Sequence, residues 1–189
     1  MGFLDAVLGR SKPVKPDLDQ LFALPSAAIT LQVSSGFRPA GVGSVCYRAA
    51  EGASFASTQS DVQALLDADD GPAVERSTDS FGFTWLTCRG DDISALVTDL
   101  HAVNRALEDA GFGPALLCSL VAFVDDSGRR FGLVYLYKRG TFYPFAPQPG
   151  ERRDNAVELQ VRGLLTDDLK VEPDLSRWLA VWGAPGLDA

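Results

Sequence analysis

With 189 residues, 46% of them hydrophobic, the chain is long enough to bury a core of its own and falls in the size range of one domain. Its formal net charge of -8 argues against a general electrostatic affinity for nucleic acid, which needs an excess of Lys and Arg. No run approaches 18 consecutive apolar residues, so no membrane-spanning helix is expected.

Met1, Phe3, Leu4, Val7 and Leu8 recur at helical spacing and are followed by the breaker-rich "GRSKPVKPD". Residues 1–15 therefore read as a short amphipathic arm and linker, which either docks back on the core of its own domain or a neighbour or touches a membrane surface, and 16–189 read as one domain. The arm lacks the charged start and long apolar stretch of a secretory signal, and Ala6 stands where a myristoylation signal wants Ser or Thr. Asp17 is expected to cap a short helix through Leu21 and Phe22 that stops near Pro25. "AITLQV" (28–33) and "VGSVCYRA" (42–49) read as strands, linked by the flexible, glycine-rich "GFRPAGVG".

A helix near 54–68 follows, with Phe55, Val62, Leu65 and Leu66 on one side. "AVERST" (73–78) and "FGFTWLTCR" (81–89) form a hairpin around Asp79-Ser80. The strongest helical pattern runs from about Asp92 to Ala110, where Ile93, Leu96, Val97, Leu100, Val103 and Leu107 trace one face. Then "ALLCSLVAFV" (115–124) and "RRFGLVYLYKR" (129–139) read as a second hairpin, and a last helix spans about Asp154 to Leu165. Trp178, Val181 and Trp182 are expected to pin the tail onto the body, because wet indole rings forgo several kcal/mol at about 25 cal/mol per Å². The order ββα, three times over, predicts an α+β fold: an antiparallel sheet of about six strands with helices mainly on one face.

Chemistry-bearing patterns are sparse. His101 is the one histidine, so neither a His/Cys metal site nor a histidine-based nucleophile system finds its partners in the sequence. The acidic pairs at 69–70, 91–92, 125–126 and 167–168 fall at helix ends and turns, where Asp serves local hydrogen bonds. Cys46, Cys88 and Cys118 lie in apolar runs without CxxC spacing, as buried reduced thiols of a cytosolic protein do. No cofactor and no metal is expected, and no enzyme activity.

Charge distribution says more. Seven basic residues between 129 and 162 stand against three acidic ones, a local net of +4, which leaves -12 on the rest of the chain. Within that stretch "YLYKRGTFYPFAPQPGERRDN" (135–155) gathers aromatics, prolines and bases. Its rings either fold over the sheet edge and close the core, or are offered as anchors beside Arg. On the second reading the partner-binding residues are Arg129, Arg130, Lys138, Arg139, Phe142, Tyr143, Phe145, Arg152 and Arg153, a positive patch suited to an acidic protein or anionic head groups.

Several long strings carry a resemblance: "MGFLDAVLGR", "LFALPSAAITLQ", "GFRPAGVGSVCYRA", "VTDLHAVNRALEDAGFGPALLCSLVAF", "VYLYKRGTFYPFAP", "RRDNAVELQ" and "EPDLSRWLAVWGAPG". Through them the whole chain resembles the actinobacterial PspAB family, small proteins associated with phage shock protein A (PspA). The resemblance implies an accessory partner of PspA in an envelope-stress system, where PspA is a coiled-coil protein acting at the inner face of the cytoplasmic membrane. It carries over no catalytic residue. The expectation is a non-enzymatic, cytoplasmic adaptor that contacts PspA or another Psp-system protein and touches the membrane peripherally; the alternative is a small-molecule-binding domain or minor enzyme with a pocket between sheet and helices.

Overall fold

The computed structural model describes residues 16–67 and 72–187, so the expected arm at 1–15 lies outside the described residues. A 3-10 segment, Leu18–Ala23, runs directly into helix α1, Leu24–Ser35. Pro25 sits in the first turn of α1, where its missing N–H costs nothing, so it opens a helix where the sequence reading had one stop. The strand expected at 28–33 is helix as well. Ile29, Thr30 and Val33 lend it a β-like composition, but the buried positions Leu24, Ala27, Ala28 and Leu31 follow a helical period. Gly36, at φ 75°, ends α1 in the left-handed conformation that glycine adopts without strain.

The remaining elements are β1 (Arg38–Tyr47), α2 (Ala53–Leu66), β2 (Glu75–Thr78), β3 (Thr84–Arg89), α3 (Ile93–Leu107), β4 (Leu116–Val124), β5 (Arg130–Leu136), β6 (Thr141–Phe145) and α4 (Asn155–Leu165). Between β6 and α4 a two-residue ribbon pairs β7 (Pro147–Gln148) with β8 (Arg152–Arg153). Six strands form one antiparallel sheet in the order β2-β3-β1-β4-β5-β6. The class is α+β, as expected. The chain order differs from three ββα units: single strand β1, then a pair, then three strands, each group bracketed by helices. Part of the glycine-rich segment read as a flexible connection is the first half of β1, with a register irregularity between Pro39 and Gly43.

Both faces of the sheet are apolar. The inner face, with Val45, Leu86, Val121, Leu133 and Tyr135, packs under the helices together with Leu31, Leu96, Leu100 and Val161. Gly43 lets α3 lie close: a Cβ there would stand 3.0 Å from Leu96 Cγ. The outer face, with Cys46, Trp85, Cys118, Leu120, Tyr143 and Phe145, is covered in part by the C-terminal tail through Trp178, Ala184 and Leu187. The tail backbone presses onto the strands, since a Cβ on Gly186 would meet Val42 Cβ at 2.9 Å and Ala122 Cβ at 3.0 Å. Each buried indole withdraws on the order of 200 Å², roughly 5 kcal/mol before the entropy of ordering the tail.

The stretch at 141–145, read as loop from its prolines, is strand β6. It is an edge strand, and Pro144 sits opposite Leu133 on its one paired side. An edge has room for a residue that cannot donate to a second neighbour, which is why proline survives there.

The β4–β5 hairpin is organised by Asp125. Its carboxylate accepts from Ser127 N at 3.0 Å, Ser127 Oγ at 2.7 Å, Arg129 N at 2.9 Å and Arg129 Nε at 2.7 Å. Burial alone would raise this carboxyl, but those donors and the Arg129 charge outweigh it and hold it at about 2. A carboxyl held below its unfolded value of about 3.9 stabilises the fold fully above that pH and loses the contribution as pH falls through about 2. Asp125→Ala is therefore expected to cost about 2 kcal/mol in urea unfolding at pH 7. The gap between variant and parent should close between roughly pH 4 and pH 2; a gap constant over that range would contradict the assignment.

Candidate interaction surfaces

The basic and aromatic residues singled out from the sequence are mostly turned inward. Phe142, Tyr143 and Phe145 are fully buried, so the first of the two alternatives holds and the rings close the core instead of anchoring a partner. Phe142 faces the helix layer and packs on Tyr135, with centroids 5.1 Å apart. Tyr143 and Phe145 face the tail: Tyr143 stacks on Trp178, and its hydroxyl donates to Leu179 O at 2.9 Å. Phe145 meets Trp182 edge-on at 4.8 Å.

The arginines are spread through the same construction. Arg139 Nε donates to Glu172 Oε2 at 2.8 Å, where the carboxylate is wholly inaccessible to solvent. Thr141 Oγ1 at 2.8 Å and Arg177 Nη1 at 3.3 Å complete that carboxylate's side-chain donors. Burial would raise the Glu172 carboxyl, yet these hydrogen bonds and the Arg139 charge prevail and lower it. Arg153 Nε donates to the buried Glu158 at 2.8 Å, its Nη1 donates to Trp178 O, and its guanidinium lies over Phe145, 5.1 Å from the ring centre. Arg129 serves Asp125 and covers Phe37, and Arg130 Nη1 donates to Gly186 O at 3.1 Å. Of the nine expected partner-binding residues, Lys138 and Arg152 remain exposed and outside any ion pair among the described residues.

An apolar surface the sequence reading missed lies on α1. No charged residue occurs between Asp19 and Arg38, although 22% of the chain is charged. Ser26, Ile29 and Val33 are exposed at helical spacings of three and four, with Phe22 four residues earlier in the preceding 3-10 turn. Phe22, Ile29 and Val33 are 50%, 66% and 82% exposed. The Phe22 ring tilts onto His101 at 4.8 Å, which fixes that end of the stripe against α3. The charge-free run is visible in the sequence, but the strand expected at 28–33 gives its apolar residues no reason to be outside.

A second apolar feature is a cleft of about 320 Å³ on the outer sheet face, bounded by the 79–85 hairpin turn and the tail at 179–182. Cys46, Trp85, Cys118, Leu136 and Tyr143 line it, and exposed Phe81 and Leu179 stand at its rim. It lies between sheet and tail, on the far side from the pocket expected between sheet and helices. Its carboxylate, Asp79, already accepts from Phe81 N and Phe83 N at 2.9 Å and from Trp85 Nε1 at 3.0 Å. Burial opposes ionisation of Asp79, but the Trp85 and backbone donors hold it below the usual carboxylate range.

A family model, PspAB, described as PspA associated protein B, matches residues 1–186. The chain belongs to the PspAB family. Neither a search of curated proteins nor one of solved structures finds a similar chain. Among the described residues of this PspAB protein, no helix is long and apolar enough to cross a membrane.

Because Arg153 faces a buried carboxylate, Arg153→Glu sets two acids together inside the fold and is expected to cost more than about 3 kcal/mol. Arg152, one residue away and exposed, should tolerate the same change within about 0.5 kcal/mol. Urea midpoints of the two variants measure this, and equal losses would refute the division into structural and surface arginines.

Proposed function

We propose that this PspAB protein is a non-enzymatic accessory protein that docks on PspA through the uncharged face of α1. The family description supplies the partner. The observation that carries the reading is the stripe Ser26, Ile29 and Val33, exposed on a helix that bears no charge. Interface centres are depleted of charge and enriched in apolar anchors, and a large exposed apolar side chain on an acidic protein otherwise works against solubility. Spacings of three and four are also those at which one helix meets another, ridge against groove, so the stripe suits the apolar seam of a helical, coiled-coil partner.

In this reading the protein works at the cytoplasmic face of the membrane because its partner does. The acidic body disfavours direct adsorption to anionic lipid, and three of the seven basic residues in the stretch, Arg129, Arg139 and Arg153, are spent on internal carboxylates. The adaptor role thus rests on α1 and not on the arginine and aromatic segment.

Co-purification of PspA with an Ile29→Glu, Val33→Glu double variant tests this. Both positions are exposed, so the fold should stay within about 1 kcal/mol of the parent, while recovery of PspA falls at least about tenfold. Arg152→Glu should leave recovery unchanged. Full recovery by the double variant, with its thermal unfolding intact, would remove α1 as the docking face.

A further inference from the structure

Two thiols sit together on the floor of the outer cleft. Cys46 of β1 is directly opposite Cys118 of β4 in the antiparallel ladder, and both line the cleft between the hairpin turn and the tail. Residues opposite one another in such a ladder have Cα atoms about 4.5–5.5 Å apart, inside the range of about 4.4–6.8 Å that a disulfide spans. Their side chains leave the sheet on the same face, since both belong to the cluster under the tail. A register irregularity between Cys46 and Tyr47 breaks the β1–β4 ladder at this point, which gives the strands the local slack a bridge needs. The third cysteine, Cys88, faces the helix layer on the other side of the sheet and is no neighbour of the pair.

We infer that Cys46 and Cys118 form an oxidisable dithiol, closed to a cross-strand disulfide by small peroxides that enter through the cleft mouth. One sulfur, as thiolate, attacks a peroxide oxygen; the O–O bond breaks and leaves a sulfenic acid and hydroxide, which takes up a proton. The second sulfur attacks the sulfenic sulfur, the S–O bond breaks, and water leaves. In sum two thiols lose two protons and two electrons, and one hydrogen peroxide becomes two waters. The first attack falls to Cys118, the more accessible of the two thiols at 6% exposed against 3% for Cys46; the neighbouring Cys118 thiol and then burial push Cys46 up. Both thiols are buried, so the reaction is slow in the closed cleft and quickens when the tail at 179–182 lifts.

The test treats the folded full-length protein with hydrogen peroxide, then alkylates it in denaturant and maps the peptides. The three free thiols should fall to one, with Cys46 and Cys118 joined and Cys88 alkylated; dithiothreitol should restore all three. Cys88→Ser should still lose two thiols. Cys46→Ser should form no bridge and instead carry Cys118 as a sulfenic or higher acid. Three alkylated cysteines after peroxide, a bridge that involves Cys88, or a disulfide only between two copies of the chain would each overturn the proposal.

Discussion

The buried carboxylate of Glu172 is the constraint on which the outer half of the molecule depends. A sheet apolar on both faces must be covered twice, and the helices cover one side. The other side falls to a tail with one short 3-10 turn and no ladder of its own, so side-chain bonds have to place it. Glu172 takes Arg139 and Thr141 from the β5–β6 region and Arg177 from the tail, while its main chain bonds Phe142 and Trp178. Phe142 N donates to Lys170 O and Glu172 N to Phe142 O, which carries the tail alongside β6 as a single parallel bridge. The free edge of β6 is thereby covered at Phe142, which shortens the template it offers for pairing with other chains.

Arginine is the residue suited to this construction. Its planar fork reaches two acceptors at once, its stem packs on apolar surface, and its face stacks on a ring. Arg153 does the first and the last, bonding Glu158 and Trp178 O and lying over Phe145. A positive segment in an acidic chain therefore reports here how the tail is fastened. On the proposed reading, the surface left for a partner is the α1 face, which charge avoids.

The helical cores of α2, α3 and α4, both hairpins and the tryptophan-pinned tail were legible because each shows its own period or turn chemistry. Asp92 and Asp154 cap their helices through Ser94 N and Val157 N, as their positions in sequence suggest. Two segments were not legible, for opposite reasons. In 28–33, β-branched residues mark the exposed side of a helix whose buried side is mostly alanine and leucine, so composition and period disagree. In 141–145, proline suppresses a strand signal that the edge position makes harmless. The direction of Arg139 and Arg153 was hidden for a third reason: their partners Glu172 and Glu158 are placed by the tertiary fold and sit far away or on another element.

The α1 face and the thiol pair lie on opposite sides of the sheet. β1 touches both, since it packs against α1 and carries Cys46. Coupling between them would require β1 to have two discrete arrangements, because packed interiors shift between states and do not deform continuously. β1 is paired on both sides, to β3 and to β4, and buried through its second half, so a one-residue slip against either neighbour would turn Val45 and Tyr47 to the outer face. The strand is thus a partition between the two surfaces. Changes on α1 and at the cleft floor, separated by the sheet, should add in their effects on stability.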